Sequence, residues 1–236
     1  MRHSNVKNML LRRLSSSDFE AIAPDLMLVK MKLKQDIVVP GVPIADILFP
    51  ESGIISMVAG MDGAERIEVA ILGFEGATDQ VLEDGDTSSL NSFVQLPGDA
   101  YSISAAAYAA WLHDRPTALR LMLRFQQSMS VQIAYTALSH GSFTIEERLS
   151  RWLLMCFDRT GSDDLPFVHE FLSTMLAVRR AGVTQAIHVL EGHGAIRATR
   201  GMVRLRDRAR LEELAAGSYG PPEQAYDRLM GPDLLS

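Results

Sequence analysis

Apolar and polar residues change their period twice along the chain, and the changes divide it into three parts. Residues 8–28 begin as a helical stretch, with Ser15-Ser16-Ser17-Asp18 supplying an N-cap ahead of Phe19, Ile22 and Ala23. From about Met27 to Ile103 the pattern becomes a series of short runs: LVKMKLK, DIVV, DILF, GIISMVA, RIEVAIL, NSFVQL and AYSI. Glycine, proline and turn residues punctuate them. Short strands at even spacing predict a small antiparallel barrel or jelly roll, and Asp62-Gly63, inside the turn Met61-Asp62-Gly63-Ala64, predicts a tight hairpin.

After Ser104 the period turns helical. AAAYAAWLH reads as a short helix, and Pro116 suits the first turn of a longer one running to about Ser139. Along it Ala118, Met122, Phe125, Met129, Gln132 and Thr136 alternate spacings of four and three. That is the seam expected of a helix facing a partner helix, and Met122, Phe125, Met129 and Thr136 are its candidate dimer contacts. The alternative is that the same stripe packs on the chain's own barrel. His140-Gly141-Ser142 reads as a break and hinge. Thr144 with Glu147 reads as a capping box for the next helix, which carries the apolar face of RLSRWLLMCF. Residues 158–164 read as a loop, and EQAYDRLM as a short terminal helix.

The stretch from Leu165 to Asp207 reads as helix, tight turn, second helix and hairpin, the layout of a winged helix-turn-helix. His169 to Leu176 is the first helix, Ala177-Val178 the turn, and Arg179 to about Glu191 the recognition helix. Val183, Ile187 and Leu190 share its inward face. Arg179, Arg180, Thr184, Gln185 and His188 lie opposite. Arginine can fork onto guanine O6 and N7, and glutamine onto adenine N6 and N7. Arg180 and Gln185 are therefore the candidate base readers, while Arg179, Thr184 and His188 are candidate phosphate or edge contacts. In the hairpin, Thr199-Arg200-Gly201 is the turn of the wing, and Arg200 a further DNA contact.

Charge changes the picture only locally. The chain is −6 overall, yet residues 176–210 hold eight arginines against Glu191 and Asp207, a net +6 on an acidic body. A basic face on an acidic protein suits one surface turned to phosphates. An apolar fraction of 47% is ample for a packed core. No run approaches the ~20 apolar residues of a membrane span, and the amphipathic N-terminus lacks the features of a signal peptide. With Cys156 the only cysteine, no internal disulfide forms and a cysteine-held iron–sulfur cluster is disfavoured. Cys156 itself lies on an apolar helical face and reads as core. These features predict a cytoplasmic protein.

Several stretches together resemble the CRP/FNR family of transcription regulators, from Asn8 to the C-terminus: FPESGIISMV, DGAERIEVAILGFEG, HGSFTIEERLSRWLL, FLSTMLAVRRAGVTQAIHVLEGHGAI, RGMVRLRDRARLEELA and the tail SYGPPEQAYDRLM. The resemblance implies an α+β fold in three parts: a cyclic-nucleotide-binding-like β-roll effector domain over 1–115, a dimerisation helix and hinge over 116–140, and a winged helix-turn-helix domain over 141–236. It implies a homodimer, without enzymatic activity, on a near-palindromic double-stranded DNA site. RNA polymerase and an unidentified small-molecule effector are its further expected partners. Two positions depart from the family pattern: Ala177 stands where a turn glycine is frequent, and Ala181 where many relatives carry a base-reading glutamate. Gly182 is also unusual inside a recognition helix, where it costs up to ~1 kcal/mol against alanine.

Cyclic-nucleotide-binding relatives hold the phosphate with a Gly-Glu pair and a later arginine. The nearest counterparts here are Gly73, Glu75 and Gly76, then Leu90 and Asn91. Leu90 takes the arginine position, and no Arg or Lys lies between Arg66 and Arg115. A buried phosphodiester would lack a charge partner, so cAMP is not expected and no cofactor is assigned. None of the six histidines falls in 27–103, which argues against a cupin-like metal enzyme. Met57, Met61 and Tyr101 leave a haem ligand formally open. The remaining alternative is a β-roll sensing or interaction protein whose winged domain binds protein.

Overall fold

The computed structural model describes residues 2–60, 66–79, 81–83, 85–166, 169–176 and 178–231. Two short helices open the chain, α1 (Met9–Arg13) and α2 (Ser16–Ile22), each capped as its sequence dictates. The Asn8 side chain accepts from the Leu11 amide, and Ser15 accepts from Asp18. Seven strands follow: β1 (Met27–Met31), β2 (Asp36–Val38), β3 (Asp46–Pro50), β4 (Ile54–Gly60), β5 (Arg66–Leu72), β6 (Asn91–Leu96) and β7 (Gly98–Ser104). They form a three-stranded sheet in the order β1-β7-β3 and a four-stranded sheet in the order β2-β6-β4-β5, antiparallel in every described pair. Every predicted strand is present. Gly60 pairs with Arg66 across the β4–β5 hairpin; its predicted turn, with Met61, lies outside the described residues.

Then come α3 (Ala105–Asp114), α4 (Pro116–Ser142) and α5 (Ile145–Thr160). At 27 residues α4 is about 40 Å long. It runs through His140 and Gly141 without the expected break and ends where Phe143 turns extended. The capping box at the start of α5 is as predicted: the Thr144 amide donates to the Glu147 carboxylate, and the Glu147 amide to Thr144 Oγ1. After β8 (Asp164–Pro166) come α6 (His169–Met175), α7 (Arg180–Gly192), the hairpin β9 (Ile196–Thr199) and β10 (Met202–Leu205), α8 (Arg208–Leu214) and α9 (Pro221–Met230). Ala177, in the predicted turn between α6 and α7, lies outside the described residues. The hairpin gains β8 as a third strand, in the order β8-β10-β9, where the sequence pattern had led directly into a helix.

The stripe on α4 corrects one expectation. Met122, Phe125, Met129 and Thr136 are buried within the chain itself, as are Ala118 and Gln132. Met122, Phe125 and Met129 join a core with Ile47, Phe49, Leu72, Val94 and Ile103 from the sheets. They are thus unavailable to a partner helix: a narrow apolar stripe on a long helix fits a sheet as well as a second helix, and spacing alone does not separate the two. Gln132 has a specific task, since its Oε1 accepts the Ile71 amide at 2.8 Å and so satisfies the free side of β5, an edge strand. The terminal helix α9 also leaves the winged region. It packs along α4, with Tyr226 and Met230 in the first core beside Leu10 and Leu11.

The four-stranded sheet is buried on both faces. Ile55, Leu72 and Val94 face the first core, whereas Ile54 and Ile71 enter a second core built by α5, α6 and α7. This explains the nearly continuous apolar runs in GIISMVA and RIEVAIL.

A Cβ added at Gly76 would overlap the ring of Phe125, which is fully buried. Gly76→Ala should therefore cost ~1–3 kcal/mol by overpacking. Urea denaturation should show that loss, and Phe125→Leu in the same background should recover part of it.

Candidate nucleic-acid interface

The winged region is assembled on α5. Leu149, Leu153 and Phe157 on that helix share a core with Val183, Ala186, Ile187 and Leu190, the inward face of α7. The opposite face is exposed and carries Arg180, Ala181, Thr184, Gln185 and His188, with Arg179 just ahead as the N-cap residue. All five positions expected from the sequence are thus brought to one surface. Gly182 faces the start of α5, where an added Cβ would stand 3.0 Å from Ile145 Cδ1. The unusual glycine accommodates that close approach of the two helices.

The helix start is electrostatically unfinished. Arg179 makes no side-chain cap bond, and the first turn of α7 has no acidic residue. Leading N–H groups and the positive end of the helix dipole favour an anion there, whereas arginines beside them do not. Arginines at a helix N-terminus oppose the dipole by a few tenths of a kcal/mol each and become favourable when a phosphate sits between them. Thr184 donates to the Arg180 carbonyl at 3.2 Å. His188 Nδ1 lies 3.7 Å from Glu191 Oε2, and Glu191 Oε1 accepts the Ala198 amide at 2.9 Å. Glu191 thereby ties the end of the recognition helix to the wing.

The arginines of the basic stretch divide into two sets. Arg204 grips Asp164 with two bonds of 2.6 and 2.7 Å, and its guanidinium lowers the Asp164 pKa. Because Arg204 pairs with Asp164 on one side and Arg197 on the other, that carboxylate offsets two like charges placed opposite each other. Arg208 binds Asp158 at 2.7 Å and Arg210 binds Glu213 at 2.6 Å. By contrast, Arg179, Arg197, Arg200 and Arg206 are exposed and make no ion pair among the described residues. With Arg180 they form the cationic face. Arg200 sits in the wing turn beside Gly201, whose φ of 77° is the left-handed conformation glycine accepts without strain.

The effector positions read from the β-roll are not brought together. Gly73 lies just beyond Leu72, which pairs with Ile55, while Asn91 pairs with Val58 further along the same strand β4. Asn91 instead donates to the Val38 carbonyl at 3.0 Å, joining β6 to β2. Glu75 is buried and internally committed: Arg159 Nε donates to its Oε1 at 2.6 Å, the Gly73 amide to its Oε2 at 2.9 Å, and the Tyr226 hydroxyl to its backbone carbonyl at 2.7 Å. Gly73 is small because Arg159 Cβ would lie 2.8 Å from an added Cβ. Gly73 and Glu75 serve packing between the β-roll, α5 and α9, and Gly76 serves packing on Phe125 of α4, so the expectation that they cradle a phosphate is corrected. One cleft of about 580 Å³ lies between Lys7, Glu51, Phe74 and the end of α5, and another of about 680 Å³ lies beside His3, Phe19 and Pro24.

Among the described residues no group of three or more His, Cys, Asp or Glu is placed to hold a metal, and no helix is long and apolar enough to cross a membrane. Cys156 is buried, and desolvation pushes its thiol pKa well up, in keeping with core. Sequence reasoning missed Glu68, Arg151 and Arg159, which meet around α5. A charged residue in RIEVAIL or RWLLMCFDR reads as an exposed position on an amphipathic element. Only the fold reveals that both faces of β5 are covered.

Residues 147–214 match the family model described as the Crp-like helix-turn-helix domain. Among solved structures, a CRP-family transcriptional regulator from Thermus thermophilus aligns with a TM-score of 0.68 at 18% identity, covering 81% of this chain and 98% of that one. FixK2 from Bradyrhizobium japonicum aligns with a TM-score of 0.67 at 14% identity over 80% and 96%. The c-di-GMP-responsive global regulator CLP of Xanthomonas campestris aligns with a TM-score of 0.65 at 15% identity over 81% and 99%. None of the curated proteins matches by sequence.

Removing the Glu75 carboxylate would leave Arg159 charged and buried, with exposures of 2% and 4% for the pair. Glu75→Ala should cost about 3–5 kcal/mol of stability, and replacing both partners with apolar residues of similar volume should cost less than the single change. Denaturation midpoints of the three variants decide it.

Proposed function

We infer that this chain, which has the fold of the CRP/FNR-family regulators and a Crp-like helix-turn-helix domain, is a homodimeric transcription regulator that reads DNA through α7. The observation that carries the reading is the exposed set Arg179, Arg180, Thr184, Gln185 and His188 on a helix whose inner face is fully used for packing, flanked by a wing bearing Arg197, Arg200 and Arg206. Arg180 and Gln185 contact base edges in the major groove, and the other groups position the helix on phosphates. The protein acts by binding and carries out no chemistry on its ligand.

The dimer contact moves to the other side of α4. Leu123, Gln127, Ser130, Ala134, Ala137 and Leu138 are exposed or edge that exposed stripe, with Leu123 at 56% and Leu138 at 49%. Their spacing of threes and fours suits a close helix–helix crossing in which small residues let the backbones approach. Two recognition helices related by this axis read two half-sites about one helical turn apart. With the β-roll cradle positions spent internally, cAMP is not the effector. RNA polymerase contact follows from the same reading of the protein as a regulator bound at promoters.

DNA binding and self-association both test this reading. Selection of bound DNA from a random pool should return a near-palindrome. On that site Arg180→Ala should cost ~1–3 kcal/mol and relax base preference, whereas Arg200→Ala should weaken all sequences alike and flatten the salt slope by about 0.9. Absence of DNA binding at low salt would instead favour a winged domain that binds protein. Leu138→Glu should convert the dimer to monomer by light scattering while shifting the melting temperature little, as expected for an exposed position.

A further inference from the structure

The winged region is seated on the outer face of the four-stranded sheet. Phe171 of α6 stacks on Phe93 of β6 with ring centroids 6.2 Å apart, and Lys34 Nζ lies 5.4 Å above the Phe171 ring. Met175 of α6 receives a 3.4 Å contact from the Ser56 hydroxyl of β4. In the middle of this seam lies Glu68 of β5, only 4% exposed. Its carboxylate accepts from Ser56 Oγ at 2.5 Å and from Trp152 Nε1 of α5 at 2.7 Å. One side chain therefore joins both sheet strands to the helix on which the winged region is built.

No cation within ion-pair distance neutralises Glu68 among the described residues. The charged and titratable groups facing it come from three elements. From α5 come Arg148, Arg151, Cys156 and Arg159, and from α4 comes His140, beside the Glu68 backbone. From α9 comes Glu223, which acts on Arg151 and Arg159. Arg159 is already committed to Glu75. Arg151 donates to Thr136 at 3.1 Å and leaves its Nε buried without a partner. The junction is thus arranged around a carboxyl group that is held by two neutral donors and lacks a directly paired charge.

We propose that Glu68 is a proton-operated latch: its neutral form keeps the winged region docked on the sheet, and its ionised form releases it. Burial raises the Glu68 pKa from 4.5 to about 8, against the lowering effect of Ser56, Trp152 and the two arginines. The docked state therefore holds a proton that an undocked, solvated carboxyl would lose. Docking weakens as pH rises above 4.5, by up to tenfold per pH unit, and levels off above about 8. His140 works in the other direction. Burial and Arg148 lower its pKa from 6.5, so docking also weakens as pH falls below 6.5. Cys156 is pushed well above its usual value and the arginines stay charged, while burial also raises the Glu223 pKa, so the part of the response that Glu68→Gln removes is the part that belongs to Glu68.

A consequence for DNA affinity rests on the proposed function; the latch itself does not. The chain has two tryptophans, so Trp111→Phe leaves Trp152 as the only indole. In that full-length background, Trp152 emission should show one transition near pH 8 that is absent when Glu68→Gln is added. Ser56→Ala removes a donor to the charged form and should move the midpoint to higher pH. By hydrogen exchange, protection of the amides of 169–176 should fall at least tenfold between pH 6.5 and 9 in the wild type and stay level in Glu68→Gln, so that at pH 9 the wild type is the more open of the two. A transition that persists in Glu68→Gln, or equal exchange in both proteins at pH 9, would overturn the latch. If the transition stands while DNA binding is absent, the functional reading fails instead.

Discussion

The ion pair between Glu75 and Arg159 is the constraint on which the rest of the molecule turns. It is short at 2.6 Å and almost wholly excluded from water. Burial alone would lower the Arg159 pKa; the carboxylates of Glu75, Glu223 and Asp158 outweigh it and hold the group charged. Such a pair is weak evidence for added stability, because desolvation offsets most of the attraction. Its effect is geometric. Glu75 lies in the turn just beyond β5, Arg159 lies in the last turn of α5, and the Glu75 carbonyl also accepts the hydroxyl of Tyr226 from α9. Three segments far apart in sequence are held at one point, and a misregistered α5 would strand two charges in the interior. The pair therefore selects one placement of the winged region over alternatives that bury similar apolar area.

That placement makes the long helix serve two surfaces. The inward stripe of α4 fills the β-roll with Met122, Phe125 and Met129 and completes the edge of β5 through Gln132. Gly76 permits this by leaving room for the Phe125 ring. The interior side of α4 is occupied by packing, and the outward stripe of the same helix is left exposed. The burial that fills the effector domain is thus the burial that frees the other face of α4.

Much of this was legible in the sequence. Period two with glycine and proline punctuation located all seven strands of the roll, and capping residues located the starts of α2 and α5. The exposed face of α7 followed from Val183, Ile187 and Leu190 alone, since fixing the inward face fixes the other. What could not be read was partnership across distance. The stripe containing Phe125 has the same spacing whether it meets a sheet or a helix. Glu75 has the same Gly-Glu context whether it binds a ligand or Arg159. Glu68 looked like the polar face of an alternating strand, because nothing local reveals that α5 and α6 cover it.

The start of α7 departs from local rules that most helix starts in the chain obey. Five other helix starts are side-chain capped, since Asn8, Ser15, Ser104, Thr144 and Asp207 each accept a bond from the first turn; α4 also starts behind an arginine, Arg115, without a cap bond, but with Pro116 in its first turn. At α7 the cap position is Arg179, without a cap bond, and a glycine interrupts the helix at the third residue. Gly182 has a packing cause in Ile145. Arg179 has no such cause: it is exposed, makes no ion pair among the described residues, and faces the wrong end of the dipole. Local preference yields in this way where an external partner supplies the missing term. A phosphate at that terminus would supply it twice, by accepting from the uncapped amides and by pairing with Arg179. Beside a wing that carries Arg197, Arg200 and Arg206, the uncapped start of α7 is suited to an anionic surface, in line with the proposed function.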